Sequence, residues 1–152
     1  MDRDDIIDTL EDLVETSKDG EYGFRTSAEH VKNPEIQRLF LQRADECRMA
    51  AQELQRCIVQ QGGKVDEEGG SASGALHRGW VSVKGTLAGY TDLAMLEEVE
   101  RGEDTALKRY RDALKDTSMP SDVRSLIERQ LQGVQRNHDQ VRALRDAEKA
   151  RS

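Results

Sequence analysis

Four stretches of this chain repeat an apolar residue every three or four positions for about seven turns each, and a long polar segment without that repeat separates the second stretch from the third. A repeat near 3.6 residues is the period of a helix with one buried face, and a strand would alternate every second residue. The first helix is predicted over residues 2–31, with Ile7, Leu10, Val14, Ser17, Glu21, Phe24, Ala28 and Val31 on its seam. Asn33-Pro34 ends it and opens the next helix, because asparagine caps well and proline suits a first turn. The second helix runs to about Gln61, burying Phe40, Ala44, Cys47, Ala51, Leu54 and Ile58, with Ile36, Leu39 and Ala50 widening the stripe, and Gly62-Gly63 closes it.

Residues 62–91 form a connection that begins glycine-rich and polar and then carries a short amphipathic segment with Leu76, Trp80, Val83 and Leu87 at helical spacing. The third main helix begins near Asp92, a candidate cap, and has Leu96, Val99, Glu103, Ala106, Tyr110 and Ala113 on its seam. The fourth starts at Ser118-Met119-Pro120 and carries Ile127, Leu131, Val134, His138, Val141 and Leu144. Short loops make the first two helices antiparallel, and likewise the last two. The long crossover lets the second and third run parallel. The whole chain, 1–152, reads as one all-α domain.

Composition narrows what such a bundle can do. The net charge is −7, whereas nucleic acid and anionic membranes both require a basic surface, so neither is expected as a partner. No window is apolar for the length of a membrane span, and the acidic start MDRDDIIDTL lacks a secretory pattern, so a cytoplasmic location is expected. Cys47 and Cys57 lie ten residues apart on one helix, roughly 15 Å along its axis, and read as reduced core residues. No phosphate loop, zinc-spaced cysteine pair or serine nucleophile context is present. His30 and His77 are expected at the surface.

The informative departures are polar residues on or beside the seams: Glu21, Glu46, Glu103 and His138, one per main helix. A carboxylate taken out of water costs several kcal/mol unless something compensates it. Such a layer therefore calls for a metal, shared protons or internal ion pairs. From the centre of the second stripe, Glu46 lies roughly 80° away and Met49 roughly 140° away, which points Met49 outward. Without metal, Arg25 four residues after Glu21 and Arg43 three before Glu46 offer ion pairs along their own helices. Tyr110 is open to two readings: a hydrogen bond to a metal ligand, or packing with its hydroxyl near solvent.

Lys18-Asp19-Gly20-Glu21 before Phe24-Arg25 resembles the first-helix metal motif of rubrerythrins, and Glu100-Arg101-Gly102-Glu103 with Tyr110 resembles their third. Gly79-Trp80, Leu96-Glu97-Glu98, Arg101-Gly102-Glu103-Asp104 and the segment from Tyr110 to Leu114 extend the likeness over the whole chain to a bacterial family of uncharacterised ferritin-like four-helix bundles, distantly similar to rubrerythrins and bacterioferritins. That resemblance implies a ferritin-like bundle in which Glu21, Glu46, Glu103 and His138 are the candidate metal ligands, with Glu100 as a substitute. It implies iron or manganese as the metal, with zinc as an opportunist. The set is incomplete: where the family motifs read Glu-x-x-His, this chain has Glu46-Cys47-Arg48-Met49 and Gln135-Arg136-Asn137-His138. Two functions remain: a non-catalytic, stress-related bundle with a degenerate metal site that self-associates as a dimer, and a dimetal oxidoreductase of ferroxidase or peroxidase type.

Overall fold

Three of the four helices begin where a side chain answers an unpaired N–H group of the first turn. The computed structural model describes residues 2–65 and 91–151. These form α1 (Arg3–Ala28), α2 (Pro34–Gln60), α3 (Asp92–Ala113) and α4 (Ser121–Arg151). Asp2 caps α1 by accepting from the Asp5 N–H at 2.9 Å, and Asn33 caps α2 by accepting from the Glu35 N–H at 2.9 Å. Each such cap stabilises its helix by about 1 kcal/mol. Gly62, at φ +91°, turns the chain out of α2 through a conformation that a side chain disfavours. At Gly63 a Cβ would meet Ile58 Cγ2 at 2.7 Å and Ile7 Cδ1 at 3.0 Å, so the chain can pass this close to α1 only as glycine.

The cap of α3 differs from expectation. Thr91 is the cap, its hydroxyl accepting from the Ala94 N–H at 3.0 Å. Asp92 is already helical, and its carboxylate reaches the turn between α1 and α2, accepting from the N–H groups of Lys32 at 2.7 Å and Asn33 at 3.1 Å. Those two bonds tie the turn of the first hairpin to the start of the second. The amphipathic segment around Trp80, with His77, lies outside the described residues, and His30 is half-buried in the turn after α1.

Side-chain contacts set the topology. Gly62 and Gly63 meet Arg3 and Ile7, so α1 and α2 are antiparallel. Tyr110 meets Gln130 while Glu100 meets Arg145, so α3 and α4 are antiparallel too. Arg109 reaches Asp12 as Asp92 reaches Lys32, which sets α1 against α3 head to tail and leaves α2 and α3 parallel. This is the four-helix bundle with a long crossover.

Two apolar clusters fill the interior. One holds Ile6, Leu10, Leu13, Leu54, Ile58, Leu107 and Ile127, among others, near the α1 N-terminus. The second, at the opposite end, holds Phe24, Ile36, Phe40, Met95, Leu96, Val99 and Val141, with Phe24 and Phe40 edge to face at 5.7 Å. Each fully buried side chain of this size contributes about 1.5–3 kcal/mol. Between the clusters the seam residues are polar. Among the described residues no helix is long and apolar enough to cross a membrane.

Candidate functional site

The polar layer is organised around one buried ion pair. Glu103 on α3 is 1% exposed, and its Oε1 accepts from Arg43 Nε on α2 at 2.9 Å across the bundle interior. Arg43 is buried as well, with its guanidinium 5.8 Å from the centre of the Phe24 ring. Burial works against the Arg43 charge, but the acidic groups around it, Cys47, Glu103 and Glu46, outweigh that and hold it protonated more firmly than usual. Burial pushes the Cys47 thiol up to about 12, so near neutral pH it carries no charge and Glu103 is the counterion. For Glu103, burial pushes the carboxyl up against the opposing pull of Arg43 and His138.

The expected ion pair along α2 is therefore replaced by one across the bundle. Arg43 does not pair with Glu46, three residues on. Glu46 is only half-buried and reaches water, whereas Glu103 is almost wholly buried and is the group that must be answered.

The other candidate residues find separate partners. His138 on α4 is buried, and its Nε2 lies 2.5 Å from Asp104 Oδ1, on the residue next to Glu103. Its Nδ1 is 3.4 Å from Asp139 Oδ1. Glu21 is not on the buried seam: its side chain is 28% exposed and pairs with Arg25 at 3.0 Å. Gly20 takes the buried position instead. The stripe can step from Ser17 to Phe24 by three then four or by four then three, and the first choice buries a glycine and spares a carboxylate. Glu100, the substitute, is buried too, and Arg142 and Arg145 of α4 both pair with it. Met49 is 59% exposed, as its angle on the helix wheel indicated. Gln135 lies at the surface end of the layer, accepting from Arg111 at 2.6 Å.

Three of the four candidates do share one level: the Glu103 carboxyl feels the charges of both His138 and Glu46. Yet no group of three or more His, Cys, Asp or Glu side chains among the described residues is arranged to hold a metal ion.

Tyr110 contradicts the reading that left its hydroxyl near solvent. It is 1% exposed, donates to Gln130 Oε1 at 2.7 Å, and has Ser17 Oγ at 3.4 Å. Burial pushes its hydroxyl up to about 12. Gln130 in turn donates to the Ala50 carbonyl at 3.3 Å and to Glu53 at 2.8 Å, and Arg129 pairs with Glu53 at 2.5 Å. Partial burial opposes the Glu53 charge, but these two donors outweigh it and hold the carboxyl below its usual range. Sequence reasoning missed Arg43, Gln130 and Asn137 as buried groups. Each had a sequence signal: Arg43 lies three after Phe40 and four before Cys47, Gln130 three after Ile127 and four before Val134, and Asn137 three after Val134 and four before Val141.

A cavity of about 460 Å³ adjoins this layer, lined by residues of all four helices, Arg43, Glu103, Tyr110 and Gln130 among them. Gly133, inside α4, lies on its wall. A Cβ there would meet only the Arg136 side chain, at 3.8 Å. Glycine in a helix interior costs about 1 kcal/mol relative to alanine.

A family model described as a domain of unknown function, DUF2383, matches residues 5–116. No curated protein matches the sequence. A bacterioferritin-related protein from Bacteroides fragilis, described as a dodecameric thioferritin, superposes with a TM-score of 0.82 at 17% identity, over 99% of this chain and 90% of that one. A Dps1 mutant from Mycobacterium smegmatis gives 0.78 at 16% identity, over 94% and 96%. A Dps protein from Vibrio cholerae, described as a member of a broad superfamily of ferritin-like diiron-carboxylate proteins, gives 0.73 at 14%, over 93% and 89%.

Proposed function

The chain belongs to the DUF2383 family and has the ferritin-like fold, and from that premise we propose that it is a non-catalytic member of this architecture whose central polar layer holds the bundle in register. The observation that carries this reading is the Arg43–Glu103 pair, buried on both sides and joined at 2.9 Å. A dimetal centre needs bridging carboxylates around two cations, with imidazoles completing each site. The side chains as arranged do not suit one: the guanidinium supplies the positive charge at Glu103, Arg142 and Arg145 supply it at Glu100, and Arg25 supplies it at Glu21. His138 is turned to Asp104, and the position of the missing second-helix histidine is held by an exposed methionine. A buried polar group that pairs in only one arrangement disfavours slipped packings of the helices, and that is the role assigned to the layer.

The same reading has the protein self-associating in the cytoplasm. The two cysteines are free and buried, as suits a reducing compartment. The ferritin-like neighbours include a dodecameric one, so an assembly larger than a dimer accords with the fold.

Elemental analysis of protein expressed in iron- and manganese-supplemented medium tests the proposal. Far less than one metal ion per chain is expected, unchanged by Glu103→Ala. About two ions per chain, lost on that substitution and accompanied by a ferric absorbance when Fe(II)-loaded protein meets oxygen, would establish the dimetal oxidoreductase instead.

A further inference from the structure

The cavity beside the Arg43–Glu103 pair plays no part in the register-holding role. At about 460 Å³ it falls within the roughly 300–1,000 Å³ range of small-molecule pockets. Ala50, Ala106 and Val134 give it an apolar wall. Four guanidinium groups and three carboxylates line it. Glu103 answers one N–H of Arg43, and Glu53 answers Arg129. Arg56 and Arg136, both exposed, form no ion pair with a described residue; Glu53, shared with Arg129, also feels the charge of Arg56, and Glu46 is the remaining lining carboxylate. In a chain of net charge −7, this cavity carries a local surplus of positive charge. Arg43 adds a second feature: it is buried, it lines the cavity, and its guanidinium meets Glu103 through Nε with no other hydrogen bond to a described residue.

Gly133 is the independent observation. Packing within the described chain does not require glycine there, since a Cβ would have room. Omitting a side chain on the wall of a cavity leaves the helix backbone open to close approach by another molecule.

The geometry points to the binding of a small organic carboxylate, its charged head held by Arg43 and Arg136 and its apolar body against Ala106 and Val134. Guanidinium groups recognise carboxylates through paired charge-assisted hydrogen bonds, and the single net charge of such a ligand matches the surplus left after Glu46 is counted.

The test is calorimetric titration of the full chain at low ionic strength with sodium hexanoate, and with 1-hexanol as the uncharged match. Saturable binding of hexanoate is expected, with hexanol at least tenfold weaker. Arg136→Gln, at an exposed position, should weaken hexanoate at least tenfold. Gly133→Leu should abolish binding while circular dichroism remains helical, and Gly133→Ala should raise the melting temperature. Absence of saturable binding, equal binding of hexanol, or undiminished binding in either the Arg136→Gln or the Gly133→Leu protein overturns the proposal. So does a Gly133→Leu protein whose sedimenting mass falls, since that outcome assigns this wall to a contact with a second copy of the chain.

Discussion

Two polar pairs cross the bundle from adjacent residues of α3, Glu103 to Arg43 and Asp104 to His138, and they differ in what their second partner can reach. In the first, both side chains are buried, 1% exposed for Glu103 and 8% for Arg43. In the second, His138 is buried but Asp104 is 62% exposed. Neighbouring residues on a helix point about 100° apart, so one α3 position faces the interior and the next faces water. The buried pair is therefore obligatory, because losing one member strands a charge in the core. The half-exposed pair is optional, because water can replace Asp104. Distance does not separate them, since the second contact is the shorter, at 2.5 Å against 2.9 Å.

The comparison is tested most severely at Glu103. Glu103→Ala should cost about 3–5 kcal/mol in chemical denaturation, because Arg43 is left buried without a counterion. Replacing both members together, Arg43→Met with Glu103→Leu, should recover most of that loss. A single substitution costing under about 1 kcal/mol would break the claim that burial makes the pair obligatory. The pH dependence sharpens it. Burial raises the folded-state carboxyl of Glu103 above its ordinary value near 4.5, so the folded chain holds a proton that the unfolded chain has released. The stability contributed by this group is therefore complete below the ordinary value and declines as pH rises through the raised one. Wild type should lose stability relative to Glu103→Gln over that window, and a difference independent of pH would contradict the assignment.

How far this layer could be read from the sequence depends on the same contrast. Apolar seams were legible: Leu10, Val14, Phe24, Phe40, Ala44, Leu54, Ile58, Leu96, Val99, Ile127, Val134 and Val141 are all buried where the period places them. Glu103 and His138 were legible for the same reason, since each is flanked by apolar residues at three and four positions. Glu21 was misplaced because a period of 3.6 allows two steps across Ser17 to Phe24, and only burial energetics chooses between Gly20 and Glu21. Arg43 was assigned a partner on its own helix because sequence spacing reports neighbours along a helix and is silent about neighbours across a bundle. The Tyr110–Gln130–Glu53 chain was invisible for that reason too. Gln130 stands at seam spacing between Ile127 and Val134, but the donor and acceptor it meets are supplied by the helices opposite and leave no mark on its own helix.

A second, smaller effect is expected at Asp104. Asp104→Asn keeps the shape of the side chain and removes its charge, and because that side chain is mostly in water the cost should be about 1 kcal/mol or less. Denaturation midpoints of the Asp104→Asn and Glu103→Ala proteins, taken in one buffer, give the ratio directly. A loss at Asp104 equal to that at Glu103 would mean that contact distance, rather than burial of both partners, sets the energy of these pairs.

The smallest effect marks the floor of the series. Glu21 and Arg25 are one helical turn apart, 28% and 47% exposed, and Asp45 of α2 approaches Arg25 at 3.6 Å. Exposed pairs of this spacing contribute about 0.3–0.5 kcal/mol and weaken as salt screens them. Glu21→Gln should therefore shift stability by about that much at low ionic strength and by nothing measurable near 1 M salt. The Arg43–Glu103 pair, only 8% and 1% exposed, should show a weaker salt dependence in the Glu103→Ala comparison. If Glu21→Gln instead costs as much as Glu103→Ala, Glu21 belongs to the buried layer after all, and a shared site on α1 and α3 regains its footing.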